Sequence, residues 1–574
     1  MYNSRVSELL EEIADMLSLD EKDRRFEVLA YRKAALTIGG LQEDVGDIYK
    51  RGGVEALMEL PGVGKGIAGS VKEYIETGRM GKYDDLKSRY PVDFRTLTKI
   101  QGMGAKKAFR LYKSLKVKNL DDLKKVISQH KIRYLKGFGE KSEEDIGKGI
   151  ELLESSNGRM ALGEALPEAE GIIKKLKGSK LVERAVIAGS TRRMRETVGD
   201  LDILVTSSKP EKVMDFISKM DEVAGVTLRG QTKTTVRLKI GLSCDIRVVD
   251  ARSFGAALQY FTGNKDHNVK VRQIAIKLGY KLNEYGLFDK RGKNIAGTEE
   301  DSIYKKLGME IMDPEMREDR GEVELSLQHK IPRVVKLEDM VGDLHVHTNH
   351  SDGTATILEM AEAAKGIGRK YIGITDHSKS EYVAHGMDDR QFVKHLGEID
   401  KVNEKLDGIK ILKSGEIDIL KDGSLDLSKK TLSLMDYRLA SIHTSLNMGK
   451  DEMTKRAVTA IESGYVDILG HPTDRIINTR SPIAMDLDKV FQAAADNNVA
   501  LEIDGYPDRL DLNDENIIKA RQYKVKFSID TDSHSTSHLS LMRYGVSTAK
   551  RGWVDPAQVL NTFSFDRLLK VFKS

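Results

Sequence analysis

Apolar positions near the start of the chain recur at helical spacing. Val6, Leu9, Leu10, Ile13 and Leu17 fall on one helix face, Phe26, Leu29, Ala30, Ala34 and Ile38 outline a second, and Val54, Leu57 and Met58 a third, so residues 4–87 read as a small helical module. Further along, the rhythm shortens to β-prone runs: residues 185–188, 200–205 and 243–249 each read as a strand. Residues 308–341 carry Pro314, Arg320-Gly321-Glu322 and Pro332 among dispersed charges and read as a connector. From residue 342 onward, short apolar runs alternate with helical patterns, the expected look of an α/β barrel with its chemistry at the C-terminal ends of the strands.

The strand over 200–205 carries Asp200 and Asp202, which a period of two places on one face. Like charges that close repel and raise each other's pKa, so the pair is costly unless a divalent cation sits between them, and Mg²⁺ or Mn²⁺ is the expectation. Asp245, on the strand over 243–249, supplies a third carboxylate. The run over 185–188 ends in Gly189-Ser190, a small-residue turn that lets backbone N–H groups and a hydroxyl approach a phosphate, with Arg192 and Arg193 for its charge. A lone Asp-x-Asp is more often a solvated strand end. Three acids beside a phosphate-type turn point instead to nucleotidyl transfer.

These residues, with Gly199, resemble the palm of the family X DNA polymerases. The resemblance implies that Asp200 and Asp202 hold both metals, that Asp245 binds the catalytic metal and helps activate the primer 3′-OH, and that Gly189, Ser190 and Arg193 bind the triphosphate. Tyr260-Phe261-Thr262-Gly263, Asn268, Arg272 and Asn283-Glu284-Tyr285 resemble the deoxynucleotide-binding subdomain of the polymerase beta group. By that resemblance, Tyr260, Phe261 and Gly263 present a turn that excludes a ribose 2′-OH, Asn268 touches the incoming nucleotide, and Arg272 lies against the template. Lys265 and Leu162 depart from the animal pattern, where an acid and an arginine stand.

The helical module contains Leu60-Pro61-Gly62-Val63-Gly64-Lys65, a glycine turn opening a helix whose N-terminal N–H groups can grip a backbone phosphate without reading sequence. One such turn is weak evidence, but Ile100-Gln101-Gly102-Met103-Gly104-Ala105-Lys106-Lys107 repeats it, and Leu135-Lys136-Gly137-Phe138-Gly139 is a third copy. All three resemble helix-hairpin-helix motifs. Residues 99–118 hold seven lysines and arginines and no acid, which makes the second turn, with Lys106 and Lys107, the best local candidate for DNA contact. Phe109 and Tyr112 at helical spacing read as core. Tyr31-Arg32-Lys33-Ala34-Ala35 resembles the N-terminal lyase domain of the polymerase beta group, but Ser70 occupies the position of its Schiff-base lysine, and Lys72 is rotated about 200° away on a helix.

In the last third, apolar runs end repeatedly in metal-type ligands: Asp343-Leu344-His345-Val346-His347 then Asp352; Asp376-His377; Glu416; His443; His471; Asp532-Ser533-His534. A single histidine after a strand is more often a hydrogen-bonded structural residue. Imidazoles mixed with carboxylates at this rhythm indicate a multinuclear site for Zn²⁺, Mn²⁺ or Fe²⁺. The set resembles the PHP (polymerase and histidinol phosphatase) family, which implies a trinuclear cluster held by His345, His347, Asp352, His377, Glu416, His443, His471, Asp532 and His534, and a metal-dependent 3′→5′ exonuclease that also acts on abasic sites. His350, His385, His395 and His538 fall outside that pattern.

Length, charge and cysteine content narrow the picture further. At 574 residues the chain allows three to five units. A net charge of +4 with 32% charged residues makes any nucleic-acid surface a local patch. The single cysteine, Cys244, excludes an intramolecular disulfide and reads as a buried strand residue. Glu8, Glu11, Glu12 and Asp15 in the first amphipathic pattern are unlike a signal peptide, and no apolar run approaches a membrane span, so a soluble, cytoplasmic monomer is expected.

The expected architecture is multidomain: helical units over 1–90 and 91–158, an α/β nucleotidyltransferase palm over 159–255, a nucleotide-binding subdomain over 256–313, a linker over 314–341, and a distorted (β/α)7 TIM-like PHP barrel over 342–574. The order is that of the bacterial and archaeal family X polymerases. It implies gap filling in base-excision repair on gapped or primed DNA with dNTPs. Two rival readings are a template-independent nucleotidyltransferase with an attached phosphoesterase and a DNA-binding scaffold with degenerate sites. The paired hairpins and Arg272 oppose the first, and the complete acid and ligand sets oppose the second.

Overall fold

The computed structural model describes residues 2–20, 24–41, 43–100, 102–155 and 158–572, so Gln101 of the second glycine turn lies outside the described residues. The first helix, Asn3–Leu17, buries Val6, Leu9, Leu10, Ile13 and Leu17 as its spacing predicts. The second, Arg25–Gly39, packs through Tyr31, Ala34, Ala35 and Ile38, and leaves Phe26 89% and Leu29 47% exposed. That corrects the face expected for this helix. At 100° per residue, Leu29 lies about 140° from Ala34, and the alanines win because small side chains let the two helices approach closely. Val45–Met58 and Lys65–Thr77 flank the first glycine turn, Phe94–Leu97 and Ala105–Leu115 the second, and the helix Glu140–Ser155 follows the third. Phe109 and Tyr112 pack against this helical core with rings stacked 6.0 Å apart.

A five-stranded sheet comes next, in the order Arg184–Ile187, Asp200–Thr206, Ser243–Val248, Lys233–Leu238, Val223–Arg229, with only the second and third strands parallel. Asp200–Thr206 is covered on both faces. Leu201, Ile203 and Val205 enter one core with the buried Cys244, while Leu204, on the face of the two aspartates, packs with Ala188, Phe254, Ala257 and Leu258. The carboxylates therefore emerge where apolar cover ends.

Residues 308–341, expected to be a connector, are built into the fold. They form the helix Glu322–Leu327, and Arg317 is buried in an ion pair with Glu300 while donating to the Met312 carbonyl. Their last stretch leads into two parallel sheets: Gly342–Val346, Tyr371–Ile374, Lys410–Lys413, and then Glu416–Asp418, Leu439–Ser441, Ile468–Leu469, Ala500–Asp504, Phe527–Asp530. Ser414-Gly415 passes the chain from one sheet to the other, and a Cβ on Gly415 would lie 2.7 Å from the Phe392 ring. Parallel bridges Val346–Ser533 and His377–Glu416 join the sheets. Helices alternate with these strands, and every strand end that carries a candidate ligand faces the same region. No helix among the described residues is long and apolar enough to cross a membrane.

Candidate active sites

The three glycine turns share one hydrogen-bond plan. Val63, Met103 and Phe138 donate their N–H to the carbonyls of Leu60, Ile100 and Leu135 at 3.0, 2.9 and 2.9 Å. Gly62, Gly102 and Gly137 take φ of 79°, 78° and 84°, the left-handed region that favours glycine. Gly64 and Gly104 then cap the following helices, and a Cβ added at Gly64, Gly102 or Gly104 would meet nothing within 4 Å, so those backbones are open to an approaching phosphate. Lys65 and Lys106 are exposed. Lys107 is partly spent on the turn itself, its Nζ donating to the Gly102 carbonyl at 2.8 Å.

In the five-stranded sheet, register places Asp202 directly opposite Asp245 on the adjacent parallel strand, with Asp200 opposite Ser243. Gly189, at φ 64°, follows the neighbouring strand, and a Cβ there would lie 2.3 Å from Asp202 Oδ2. The phosphate-type turn thus touches the carboxylate. Burial first, then Asp200 and Asp245, push the Asp202 carboxyl up to about 6. Asp245 goes the other way: burial would raise it, but Lys233 at 2.8 Å, Thr235 at 2.6 Å and Arg247 at 3.2 Å hold it below the usual carboxylate range. These partners hold Asp245, and the compact groups of three or more candidate ligands among the described residues all lie between residues 345 and 534. A cation shared by the aspartates would displace Lys233.

Arg193 is not extended toward a phosphate. Its Nε meets Glu318 at 2.9 Å and its Nη1 the Thr262 carbonyl at 2.7 Å, and Glu318 also pairs with Arg551 at 2.8 Å, which donates to the Arg193 carbonyl. Arg192 pairs with Glu300 at 2.9 Å and so ties this turn to the next subdomain. Asn268 staples the Tyr260–Gly263 turn, donating to the carbonyls of Tyr260 and Gly263 at 2.7 and 3.0 Å, and a Cβ on Gly263 would meet Asn268 Oδ1 at 2.6 Å. The Phe261 ring lies 4.6 Å from the Arg247 guanidinium, which links this turn to Asp245. Ser190 is half-buried, and Gly199 and Arg272 are exposed.

The nine candidate ligands of the C-terminal domain converge. One group joins His347, Asp352, His377 and His534, another His345, His347 and Asp532, and a third His377, Glu416 and His443, with ligand atoms within 4.8 Å in each. Glu416 is central: its oxygens lie 3.3, 3.4, 3.1, 3.0 and 2.8 Å from nitrogens of His345, His347, His377, His443 and His471. Burial opposes its ionisation, yet the surrounding imidazoles hold it well below the carboxylate range. His345 Nε2, both ring nitrogens of His347, His377 Nδ1 and Asp532 Oδ1 are buried without a hydrogen-bond partner. Orphaned lone pairs facing shared carboxylates are what a cluster of divalent cations requires, and the residues fit such a group. His471 and Asp532 also hold positive φ, 22° and 48°, strain that non-glycine residues accept mainly at functional positions.

Supporting residues escaped the sequence reading. Glu502 accepts from His345 Nδ1 at 2.7 Å and from the His471 backbone N–H, and Asp418 lies 3.2 Å from His443 Nδ1. Such outer partners fix the tautomer and orientation of a ligating imidazole. Their signal was present: each is a carboxylate in an apolar strand, and Asp418 alternates with Glu416.

The two halves pack tightly. A Cβ on Gly163 would meet Pro507 at 2.3 Å, and Arg475–Glu196 at 2.7 Å and Arg543–Glu170 at 2.9 Å cross the same interface.

Residues 1–80 match a helix-hairpin-helix domain, 94–150 a SAM-like helix-hairpin-helix tandem, 257–318 the DNA polymerase beta thumb and 343–505 the PHP domain. The chain is 37% identical over 567 residues, 98% of its own length and 98% of the relative's, to the DNA polymerase/3′-5′ exonuclease PolX of Bacillus subtilis (strain 168). It is 31% identical over 235 residues, 39% of this chain and 91% of the relative, to a probable phosphatase of Thermoanaerobacter sp. (strain X514). A probable phosphatase of Proteus mirabilis (strain HI4320) is 33% identical over 165 residues, 28% of this chain and 62% of the relative.

Proposed function

The chain belongs to the family X DNA polymerases that carry a PHP domain, and we propose that it fills short gaps in DNA at Asp200, Asp202 and Asp245 and degrades 3′ ends at the histidine-rich cluster. It is a DNA polymerase and 3′-5′ exonuclease. The observation that carries the site assignment is the contact of the Gly189 turn with Asp202, itself opposite Asp245. A triphosphate on that turn would place its phosphorus beside the carboxylates. Asp200 and Asp202 would hold Mg²⁺ or Mn²⁺, which supplies charge neutralisation for in-line displacement of pyrophosphate. The Tyr260–Gly263 turn, fixed by Asn268, would exclude a ribose, and Arg193 would leave Glu318 for the triphosphate.

In the C-terminal domain, read as a distorted barrel of the PHP type, the nine ligands would hold a trinuclear cluster of Zn²⁺, Mn²⁺ or Fe²⁺ that activates water and stabilises a leaving oxygen. The proposed division is helical units over 1–90 and 91–158, palm over 159–255, nucleotide-binding subdomain over 256–313, connector over 314–341 and PHP domain over 342–574. Action on abasic sites, a place in base-excision repair and a cytoplasmic monomer belong to the same proposal.

Primer extension on a gapped duplex, against the same primer single-stranded, tests the polymerase reading with Mg²⁺ and with Mn²⁺. Templated extension that stops at the gap's end is expected. Equal extension without a template favours the template-independent alternative.

DNA grip by the hairpins makes affinity salt-dependent. Substituting Lys106 and Lys107 together by alanine should weaken binding similarly across sequences and reduce the salt slope by up to about two units. An unchanged slope removes that surface from the interface.

Ser70, whose hydroxyl donates to the Gly66 carbonyl at 3.3 Å, cannot form the imine that a deoxyribose-phosphate lyase needs. Borohydride trapping on an incised abasic site is therefore expected to be weak or absent. Efficient cross-linking mapped to Lys72 or Lys65 overturns this.

A further inference from the structure

A second set of cation-type side chains lies beside the nuclease cluster, and none of its members is among the nine ligands. His350, Asp376 and His395 each offer a ligand atom within 4.8 Å of the others. His395, on the helix Asp389–Asn403, is 1% exposed, yet neither of its ring nitrogens has a hydrogen-bond partner. Its Nε2 lies 3.1 Å from Asp376 Oδ2, and its ring centroid is 4.4 Å from that of His350. Glu398 stands one turn along the same helix, at i+3, so it shares a face with His395, and its Oε2 is 2.8 Å from His350 Nε2.

A histidine–aspartate pair serving only as a brace would aim an N–H at the carboxylate and find a partner for the other nitrogen. Here the carboxylate is already supplied with donors. Asp376 accepts from the Thr348 N–H at 2.8 Å, the Thr348 hydroxyl at 2.6 Å and the Ser351 hydroxyl at 2.6 Å. The buried imidazole is left with unused lone-pair capacity beside the Asp376 carboxylate and the His350 imidazole, with Glu398, which also pairs with Lys394 at 3.4 Å, on the far side of His350 Nε2. That is the composition of a closed site for a borderline divalent cation.

We propose that His350, Asp376, His395 and Glu398 bind a further divalent cation, Zn²⁺ being the best match to two imidazoles and two carboxylates. The site is distinct from the nuclease cluster. Asp376 and Ser351 adjoin the ligands His377 and Asp352, so the cation ties the 347–353 loop to the helix Asp389–Asn403 and steadies two cluster ligands. That supporting role rests on the proposed nuclease, whereas the binding site does not.

The test is zinc stoichiometry by plasma mass spectrometry on the full chain, reconstituted with Zn²⁺ and desalted, with a thermal melt of each variant. His395→Ala should lose about one zinc relative to wild type, and His443→Ala should lose zinc independently, so that the double variant shows the sum. His350→Phe, at a partly exposed position, provides the same reading if His395→Ala does not fold. Nuclease activity of His350→Phe should fall by ~10–100-fold, the usual effect of disturbing a ligand's support. A wild-type zinc count in both His395→Ala and His350→Phe overturns the site. Loss of the whole zinc complement from His395→Ala also overturns it, because the residues would then only brace the cluster. If wild type bound the extra zinc but degraded no DNA, the nuclease reading would fail while the site stood.

Discussion

Asp202→Ala is expected to lower primer extension by roughly 10³-fold, the scale on which loss of one preorganised electrostatic group is felt, while 3′-end degradation persists. The carboxylate faces Asp245 across the parallel strand pair and touches the Gly189 turn, so no neighbouring group can replace it. The same crowding has a cost in stability. A carboxyl whose native pKa is about 6 against 3.8 unfolded destabilises the fold, fully above about pH 6 and not at all once pH falls below 3.8. The penalty is on the order of 3 kcal/mol. Asp202→Asn, which removes the charge and keeps the shape, should therefore melt higher than wild type at pH 8 in chelator, with the difference shrinking toward pH 4. Gel assays of both activities and a melt in each buffer check these outcomes. If Asp202→Ala eliminated degradation as completely as extension, with an unchanged melt and retained DNA binding, one site would be performing both reactions.

Residues that act through alternation along a strand were legible in the sequence; those that act across the fold were not. The shared face of Asp200 and Asp202 was readable from a period of two, and the gathering of the nine candidate ligands from their recurrence after apolar runs. Capture of Asp245 by Lys233 and Thr235 depends on the register of an antiparallel neighbour, which no local pattern specifies. Arg551 and Glu318 stand 233 residues apart, and only folding places the pair over Arg193. The packing of the 308–341 segment was hidden for a related reason. Proline and glycine mark where a chain turns, but burial of Arg317 follows from Glu300, a partner outside the segment. In the second helix, Phe26 and Leu29 satisfied the helical period as well as Ala34 and Ile38 did. Periodicity gives the pitch of a helix and leaves the choice of buried face to packing.

The second large effect belongs to Glu416. Glu416→Gln should abolish 3′-end degradation by at least ~10³-fold and cut the metal content of the C-terminal domain, leaving extension on gapped DNA close to wild type. One carboxylate there meets the nitrogens of His345, His347, His377, His443 and His471, and all but His443 are buried. Glutamine preserves shape, but it lacks the negative charge and the second acceptor oxygen that cations shared with these imidazoles would need. Removing one partner of a buried charged set typically costs about 3–5 kcal/mol, so the variant should also melt lower, and more so when metal-loaded wild type is the reference. His443→Gln, at the cluster's half-open edge, separates chemistry from folding, because it should lose the nuclease with a smaller change in melt. Plasma mass spectrometry, a melt and the two gel assays on each variant give the answer. Full degradation by Glu416→Gln with normal metal content would remove Glu416 from the ligand set. Loss of extension in His443→Gln at an unchanged melt would mean that the palm and the cluster are functionally coupled through the packed interface of Arg475–Glu196 and Arg543–Glu170.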